Sequence, residues 1–175
     1  MKNPFKILTL LLSVFCMNAT AQMKSDFKII ADTTEENATI YQGQCTFEDL
    51  GKINEFSEIS DASAFFNDDA AIEYLSQHLP DYSIAVLLGT WCEDSQHLLP
   101  PFYEVIRKTS FPLERLQLIA LDREKKGALQ EEQKYSVTNV PTFIFFKDGK
   151  EAGRITESVT VDVLQDIRKI IADNE

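Results

Sequence analysis

Two short segments of the chain carry residue types that could do chemistry. Residues 91–95 read Trp-Cys-Glu-Asp-Ser after an apolar run, and residues 140–142 read Val-Pro-Thr before another apolar run. The first run predicts a strand and the residues after Cys92 predict a helix, so the thiol is expected at a helix N-terminus. Unpaired N–H groups and the helix dipole favour a thiolate there. We therefore predict that Cys92 is a reactive sulfur rather than a small buried hydrophobe.

Ser95 stands three residues after Cys92, where a second cysteine would complete a C-x-x-C pair. A mixed disulfide is resolved by attack of another thiolate, which a serine cannot supply. Two roles for the Ser95 hydroxyl are open. It could form a hydrogen bond with the Cys92 thiolate, or it could satisfy a backbone N–H group near the start of the helix.

The first residues have the three parts of a secretory signal peptide. Lys2 and Lys6 supply a positive start, residues 7–15 are apolar, and Ala19-Thr20-Ala21 forms an A-x-A cleavage site. The apolar stretch is too short to span a membrane. We expect residues 1–21 to be removed, leaving a periplasmic or extracellular protein with no stable membrane insertion.

Cleavage would remove Cys16 and leave Cys45 and Cys92 as the cysteines of the mature chain. An even number of cysteines outside the cytoplasm raises the possibility of a pair, and Cys45 is a possible second redox cysteine or disulfide partner. A disulfide requires Cα atoms within about 7 Å, and nothing in the sequence brings the two residues together. The favoured expectation is therefore that Cys45 is inert and lies in the N-terminal segment.

Charge and composition narrow the range of partners. The net charge is −11, and it becomes −13 when cleavage removes two lysines. Such an acidic chain has no electrostatic footprint for nucleic acid. Two cysteines with His78 and His97 lack the ligand spacing of a zinc site, so neither a metal nor an organic cofactor is expected.

The elements that must position Cys92 follow from the apolar pattern. Residues 22–37 are polar and mixed, which predicts a loose leader, and Thr46 is expected to begin a helix with a capping box. Further along the chain, the patterns predict helices over 70–79, 92–108, 127–135 and 161–172, and strands over 38–41, 84–88, 116–121, 142–146 and 151–155. Helical crossovers join parallel strands and the Asp148-Gly149 turn joins an antiparallel pair. The prediction is an α/β domain with a mixed sheet.

In this order, the motifs resemble the thioredoxin family. The matching features are the apolar strand 84–88, Trp91-Cys92 followed by Ser95, Pro100, the Val140-Pro141-Thr142 segment, the strand 143–146 and the Asp148-Gly149 turn. The chain also looks like an exported bacterial subgroup that carries W-C-x-D-S in place of W-C-x-x-C. The resemblance covers residues 68–175, after an expected signal peptide over 1–21 and an N-terminal extension over 22–67.

The resemblance implies a thioredoxin fold and thiol–disulfide exchange with protein or small-molecule disulfides and thiols. Cys92 would be the nucleophile, with Ser95 beside it in the catalytic motif. Pro141 would be a cis-proline that faces the sulfur. Trp91, Val140, Pro141 and Thr142 would line the substrate groove.

Two departures from the family pattern affect the second half of a dithiol cycle. Ser95 replaces the resolving cysteine, and Val86 stands where many thioredoxins have a buried aspartate that moves protons during resolution. The residues for the initial thiolate attack are kept. A single-cysteine isomerase-like or reductase-like protein is therefore expected, and a non-catalytic module that binds peptides in the same groove is the alternative.

Overall fold

The computed structural model describes residues 25–59 and 65–175. The expected signal peptide and its cleavage site lie outside the described residues. Within residues 25–59 and 65–175, none of the helices combines the length and apolar character that a membrane span requires.

In the described part of the chain, six strands form one mixed sheet. Their bounds are β1 (Asp26–Ala31), β2 (Thr39–Cys45), β3 (Ser83–Leu88), β4 (Leu116–Ala120), β5 (Thr142–Lys147) and β6 (Lys150–Thr156). The strand order is β1-β2-β4-β3-β5-β6. β3 and β4 run parallel, whereas the other four neighbouring pairs are antiparallel. This confirms the predicted thioredoxin fold with a mixed central sheet.

The helices are α1 (Phe47–Leu50), α2 (Asp69–His78), α3 (Glu93–Lys108), α4 (Glu131–Lys134) and α5 (Val163–Ala172). Short 3-10 segments span Asn54–Ile59, Leu79–Asp81 and Leu113–Arg115. The capping box predicted at Thr46 is present, because its hydroxyl accepts the Asp49 N–H and the Asp49 carboxylate accepts the Thr46 N–H.

The sheet separates two hydrophobic clusters, because successive strand residues point to opposite faces. Val86 and Leu118 belong to the larger cluster, in which α2, α3 and α5 also bury their apolar sides. Leu87 and Ile119, their neighbours in sequence, belong to the smaller cluster. Trp91 and Cys92 pack against the smaller cluster. The reactive motif and the main core therefore lie on opposite faces of the sheet.

The prediction of a loose leader over residues 22–37 is wrong for residues 25–37, which are the part that the structure describes. Residues 26–31 form β1, which pairs antiparallel with β2, and β2 in turn pairs antiparallel with β4. β1 is an edge strand in which most side chains are exposed, so it carries little of the apolar pattern that marks a strand in sequence. The N-terminal extension thus completes the same sheet as the thioredoxin-like region.

The helix predicted over residues 127–135 is also shorter than expected. Only Glu131–Lys134 is helical, and Gln130 at its start is left-handed with φ 61°. The Glu131 carboxylate accepts the Leu129 N–H at 2.8 Å, which satisfies that donor without a longer helix. Leu129 is 84% exposed, so its apolar side chain does not pin this segment to the core.

The parallel pairing of β3 and β4 determines where the functional motif emerges. Leu88 pairs with Ala120 at the ends of the two strands, and the Leu121 N–H donates to the Leu88 carbonyl at 2.8 Å. Both strands therefore end at the same edge of the sheet. Residues 89–92 and residues 121–123 leave that edge side by side.

Candidate active site around Cys92

Cys92 is the N-cap residue of α3 and its carbonyl accepts the Gln96 N–H at 3.0 Å. Its side chain is half-buried, and the thiol donates to the Val140 carbonyl with an Sγ to oxygen distance of 3.3 Å. The Val140–Pro141 peptide bond is cis, as the resemblance implied. The structure therefore brings together Cys92 and the segment before Pro141, although 48 residues separate Cys92 from Val140 in sequence.

Of the two roles considered for the Ser95 hydroxyl, the structure shows the hydrogen bond to a backbone N–H group. The residue is fully buried, and its Oγ accepts the Gly89 N–H at 3.1 Å. Gly89 directly follows β3, so this bond joins the end of the strand to the first turn of α3. The hydroxyl thereby holds the loop that carries Trp91 and Cys92.

Trp91 is held from three directions. Its indole Nε1–H donates to the Leu121 carbonyl at 3.0 Å. A Cβ atom built on Gly89 would lie 2.7 Å from Trp91 Cε2, so the ring rests against the Gly89 backbone and only glycine leaves room for it. The Arg123 guanidinium carbon lies 5.0 Å from the ring centroid, which is a cation–π contact.

Arg123 is bound in turn by Asp32 from the N-terminal extension. Its Nε and Nη2 donate to the Asp32 carboxylate, with the shortest nitrogen-to-oxygen distance 2.6 Å. The Asp32 side chain is only 2% exposed and that of Arg123 is 25% exposed. Hydrogen bonding to Arg123 holds the pKa of Asp32 well below its usual range, and the same bond raises the pKa of Arg123.

The sequence interpretation missed both Arg123 and Asp32. One signal could have found Arg123, because it follows a buried strand predicted to run parallel to the strand before Cys92. Residues that follow neighbouring parallel strands meet at one edge of a sheet. No signal marks Asp32, which lies 91 residues before its partner.

Further contacts join the N-terminal extension to the same edge. The Thr90 hydroxyl accepts the Tyr41 N–H at 3.1 Å, and the Gln42 amide donates to Asp122 at 3.0 Å. Between these elements lies a cleft of about 480 Å³. Trp91 and Arg123 form part of one wall, and residues of the extension form the other.

Thr142 and Val86 lie deeper in the protein. The Thr142 side chain is 1% exposed, and its hydroxyl donates to the Asn139 carbonyl at 2.7 Å. This bond braces the segment around Pro141 from behind. Val86 is fully buried in the main core, so no proton-transferring side chain stands at that position.

Cys45 lies at the end of β2 and is fully buried in the main core, paired in register with Leu118. The structure contains both Cys45 and Cys92 as free thiols and packs them against different clusters on opposite faces of the sheet. Burial raises the pKa of Cys45 to about 12. The expectation of an inert Cys45 agrees with this environment, but the residue belongs to the sheet and not to a loose leader.

Within residues 25–59 and 65–175, no group of three or more His, Cys, Asp or Glu side chains is arranged to hold a metal ion. The chemistry that the described site can do is that of a thiol. A half-buried residue at a helix start carries a sulfur that donates to a backbone carbonyl, and Trp91 precedes it and packs against the same cluster.

Comparison with known proteins agrees with this geometry. The family model described as thioredoxin matches residues 72–169, which is more than half of the chain. The chain is 31% identical over 76 residues to the chloroplastic thioredoxin Y of Oryza sativa subsp. japonica, covering 43% of this chain and 42% of that protein. It is 32% identical over 81 residues to an H-type thioredoxin of Oryza sativa subsp. indica, covering 46% and 62% respectively. The matched regions thus span less than two thirds of these relatives.

Among solved structures, a protein of unknown function from Pseudomonas aeruginosa superposes with a TM-score of 0.53. The sequences are 14% identical, and the match covers 75% of this chain and 91% of the other. At this level of identity, the likeness concerns the fold alone.

Proposed function

This chain belongs to the thioredoxin family, and from this premise we propose that it is an exported protein that performs thiol–disulfide exchange with one cysteine, Cys92. The observation that carries the proposal is the contact between the Cys92 thiol, at the start of α3, and the Val140 carbonyl before the cis Pro141. The residue that carries this sulfur is partly exposed, and its S–H is directed at a backbone carbonyl.

The first step is attack on a disulfide. The Cys92 thiolate forms a bond to one sulfur of a substrate R–S–S–R′, and the S–S bond breaks. The products are a Cys92–S–S–R mixed disulfide and the thiolate R′–S⁻. The sulfur of Cys92 is oxidised and the departing sulfur is reduced, so no other electron acceptor is needed.

The second step needs an external thiol. Ser95 cannot attack the mixed disulfide, and the buried Cys45 packs on the other face of the sheet. A thiolate R″–S⁻ from the substrate or from solution therefore forms R–S–S–R″ and releases the Cys92 thiolate. This cycle supports disulfide isomerisation or the removal of thiol caps more readily than net reduction of protein disulfides.

The Val140 carbonyl supports substrate binding in this cycle. In the free protein it accepts the S–H of Cys92. Once Cys92 forms a mixed disulfide, its S–H is gone and the carbonyl can accept an N–H from an extended substrate segment. Protein thiols and disulfides are the partners that the proposal assigns to the groove.

Export is part of the proposal and rests on the sequence of residues 1–21. A charged start, an apolar stretch and an A-x-A site are the supporting features. Expression of the full chain in a bacterium, followed by mass measurement of the recovered protein, tests it. A protein that begins at Gln22 in the exported fraction supports export, and an uncleaved chain retained inside the cell contradicts it.

The exchange function is tested by incubating the exported protein with a fluorescent peptide disulfide and measuring the mixed disulfide by mass. We expect the native protein and the Cys45→Ala variant to form one peptide adduct at Cys92. The Cys92→Ser variant should form none, and Ser95→Ala should still form it because Ser95 supplies no sulfur. Equal exchange by Cys92→Ser and native protein would contradict the proposal.

The same experiment separates exchange from the alternative of a peptide-binding module. Alkylation of Cys92 with a small reagent should abolish exchange under the proposal. A protein that never forms the adduct, yet binds the peptide equally well before and after alkylation, would be a binding module.

A further inference from the structure

The N-terminal extension reaches the reactive motif through one charged pair. Asp32 follows directly after β1, and Arg123 follows β4 by three residues. Three hydrogen bonds join them, so the guanidinium is held in a fixed orientation. The same guanidinium also lies over the face of Trp91.

Trp91 is the residue directly before the sulfur-bearing residue. Its ring contacts the Gly89 backbone and the Arg123 guanidinium, and its N–H donates to the Leu121 carbonyl. The carbonyl bond alone leaves the ring free to tilt about the N–H direction. The guanidinium on the ring face and the Gly89 backbone both limit this tilt.

We propose that Arg123 is a positioning residue for thiol–disulfide exchange, and that Asp32 orients it to hold the Trp91 ring beside Cys92. The N-terminal extension is thereby a functional part of the exchange site as well as a part of the sheet. This role rests on the proposed exchange function, because Arg123 acts on exchange through the position of Trp91.

The charge of the pair fits positioning better than anion binding. The Asp32 carboxylate, whose side chain is almost fully buried, pairs with the charge of the guanidinium and binds its Nε and Nη2 edge. Arginine presents a planar face to an aromatic ring while its edge binds a carboxylate, and lysine cannot do both. Arg123 is therefore suited to bridging Asp32 and Trp91.

The test uses Trp91 as its own probe, because it is the single tryptophan of the chain. Emission and acrylamide quenching are measured for the native protein, Arg123→Gln and Asp32→Asn, at a temperature where circular dichroism shows each to be folded. We expect Arg123→Gln to shift the emission to longer wavelength and to raise the quenching constant about twofold to fivefold. Asp32→Asn should produce a smaller change in the same direction.

Exchange with the peptide disulfide is measured on the same samples. We expect Arg123→Gln to slow adduct formation at Cys92 by about twofold to fivefold, following the displacement of the ring. In the Asp32→Asn/Arg123→Gln double variant, no further slowing is expected, because Asp32 acts through Arg123. Fully additive effects of the two single variants would overturn this order of action.

The matched control is Arg154→Gln. Arg154 also binds a carboxylate with two nitrogen-to-oxygen distances of 2.6 Å, in this case that of Glu151, and its side chain is 30% exposed. This variant should lose an ion pair of the same kind without changing Trp91 emission. If Arg123→Gln and Arg154→Gln give the same emission and exchange rate as the native protein, the positioning role is refuted.

The two measurements also separate this inference from the proposed function. In one outcome, Arg123→Gln changes the Trp91 emission but the native protein never exchanges thiols. This outcome would refute the exchange function and therefore the role of Arg123 in exchange, and it would still establish that Arg123 holds the Trp91 ring. Exchange that proceeds at Cys92 with unchanged Trp91 emission in Arg123→Gln would refute the positioning role alone. If Arg123→Gln does not fold, Asp32→Asn carries the same test.

Discussion

Cys92 and Cys45 are identical side chains in opposite environments. Cys92 caps a 16-residue helix at the edge of the sheet, half-buried beside Trp91. Cys45 ends a strand and is completely enclosed by the main core. Burial raises the pKa of Cys45 to about 12, so at neutral pH it is a thiol and packs as a small apolar group.

The contrast between Cys45 and Cys92 shows that the position of a cysteine in the sheet determines whether its thiol can react. A thiol whose ionised form would have to enter the core stays protonated because desolvation disfavours the charge. A thiol at the end of a parallel strand, where a helix begins, meets solvent and backbone dipoles. The difference between the two thiols has four testable consequences.

The largest effect concerns alkylation of the two thiols in native protein. The rise in the pKa of Cys45 from 9.0 to about 12 lowers its thiolate fraction about 1000-fold at pH 8. We expect iodoacetamide to modify Cys92 and to leave Cys45 unmodified until denaturant is added, as followed by peptide mass mapping. Labelling of both cysteines at similar rates in the native state would break the comparison.

The next effect comes from giving the Cys92 side a second thiol. The Ser95→Cys variant has a thiol at the C-x-x-C position. For attack on a mixed disulfide at Cys92, the effective concentration of this thiol is about 100-fold or more above that of an external thiol at micromolar concentration. The mixed disulfide with a peptide should then break down about 100-fold faster without added thiol.

Ser95→Ala is the control for this variant, because it also removes the oxygen that accepts the Gly89 N–H but adds no thiol. Its adduct should persist as long as that of the native protein. An adduct of Ser95→Cys that is equally persistent would show that position 95 cannot deliver a sulfur to Cys92.

A third effect is the response of stability to alkaline pH. The pKa of Cys45 is higher in the folded protein than in the unfolded chain, so the folded state holds this proton more tightly. The resulting contribution to the free energy of unfolding is fully present below pH 9. It is lost as the pH rises towards 12, and the loss is about 1.4 kcal/mol per pH unit. Urea unfolding should show the native protein losing stability relative to Cys45→Ala as the pH rises above 9.

Comparison with Cys45→Ala cancels the titration of the tyrosines and lysines that both proteins share. At neutral pH, the cavity left by Cys45→Ala lowers the free energy of unfolding by a fixed amount. Only the way in which the difference in stability between the two proteins changes with pH tests the prediction. Parallel stability curves from pH 8 to pH 11 would show that Cys45 is not held in its neutral form by burial.

The smallest effect belongs to the Asp32–Arg123 pair on the Cys92 side. The pKa of Asp32 is lowered in the folded protein, so its stabilising contribution is present above the ordinary pKa of 3.8 and is lost as the pH falls below it. We expect Asp32→Asn to be less stable than the native protein by a constant amount from pH 5 to pH 8. The gap should narrow below pH 4 in thermal unfolding experiments.

Glu151→Gln is the matched variant at β6, where Arg154 lowers the pKa of Glu151. It should show a similar narrowing in acid without the change in Trp91 emission expected for Asp32→Asn. A stability gap for Asp32→Asn that persists unchanged in acid would mean that its charge contributes nothing.

The strands and helices around Cys92 could be predicted because they are buried on one or both faces. β3 has five buried residues in succession, and such a run is visible in the sequence. β1 escaped prediction for the opposite reason, since an edge strand with mostly exposed side chains resembles a polar loop. The helix over residues 127–135 was overpredicted because Gln130 adopts a left-handed conformation that the pattern does not reveal.

The sequence by itself determined the position of the sulfur. A buried strand is followed, after Gly89 and Thr90, by Trp91, Cys92 and an amphipathic helix, so the apolar pattern was sufficient to place Cys92 at the start of α3. Ser95, three residues later, also shows that the C-x-x-C position holds no second thiol.

The surroundings of that sulfur depend on how distant parts of the chain pack together. The contacts of Cys92 with Val140, of Arg123 with Asp32 and of Cys45 with the core join residues that are distant in sequence. They depend on strand order and register: β2 beside β4 brings the extension to Arg123, and β4 parallel to β3 brings Arg123 to Trp91. The spacing of residues along the chain does not predict either pairing. The apolar pattern of a strand indicates how far that strand is buried, but not which strand lies beside it.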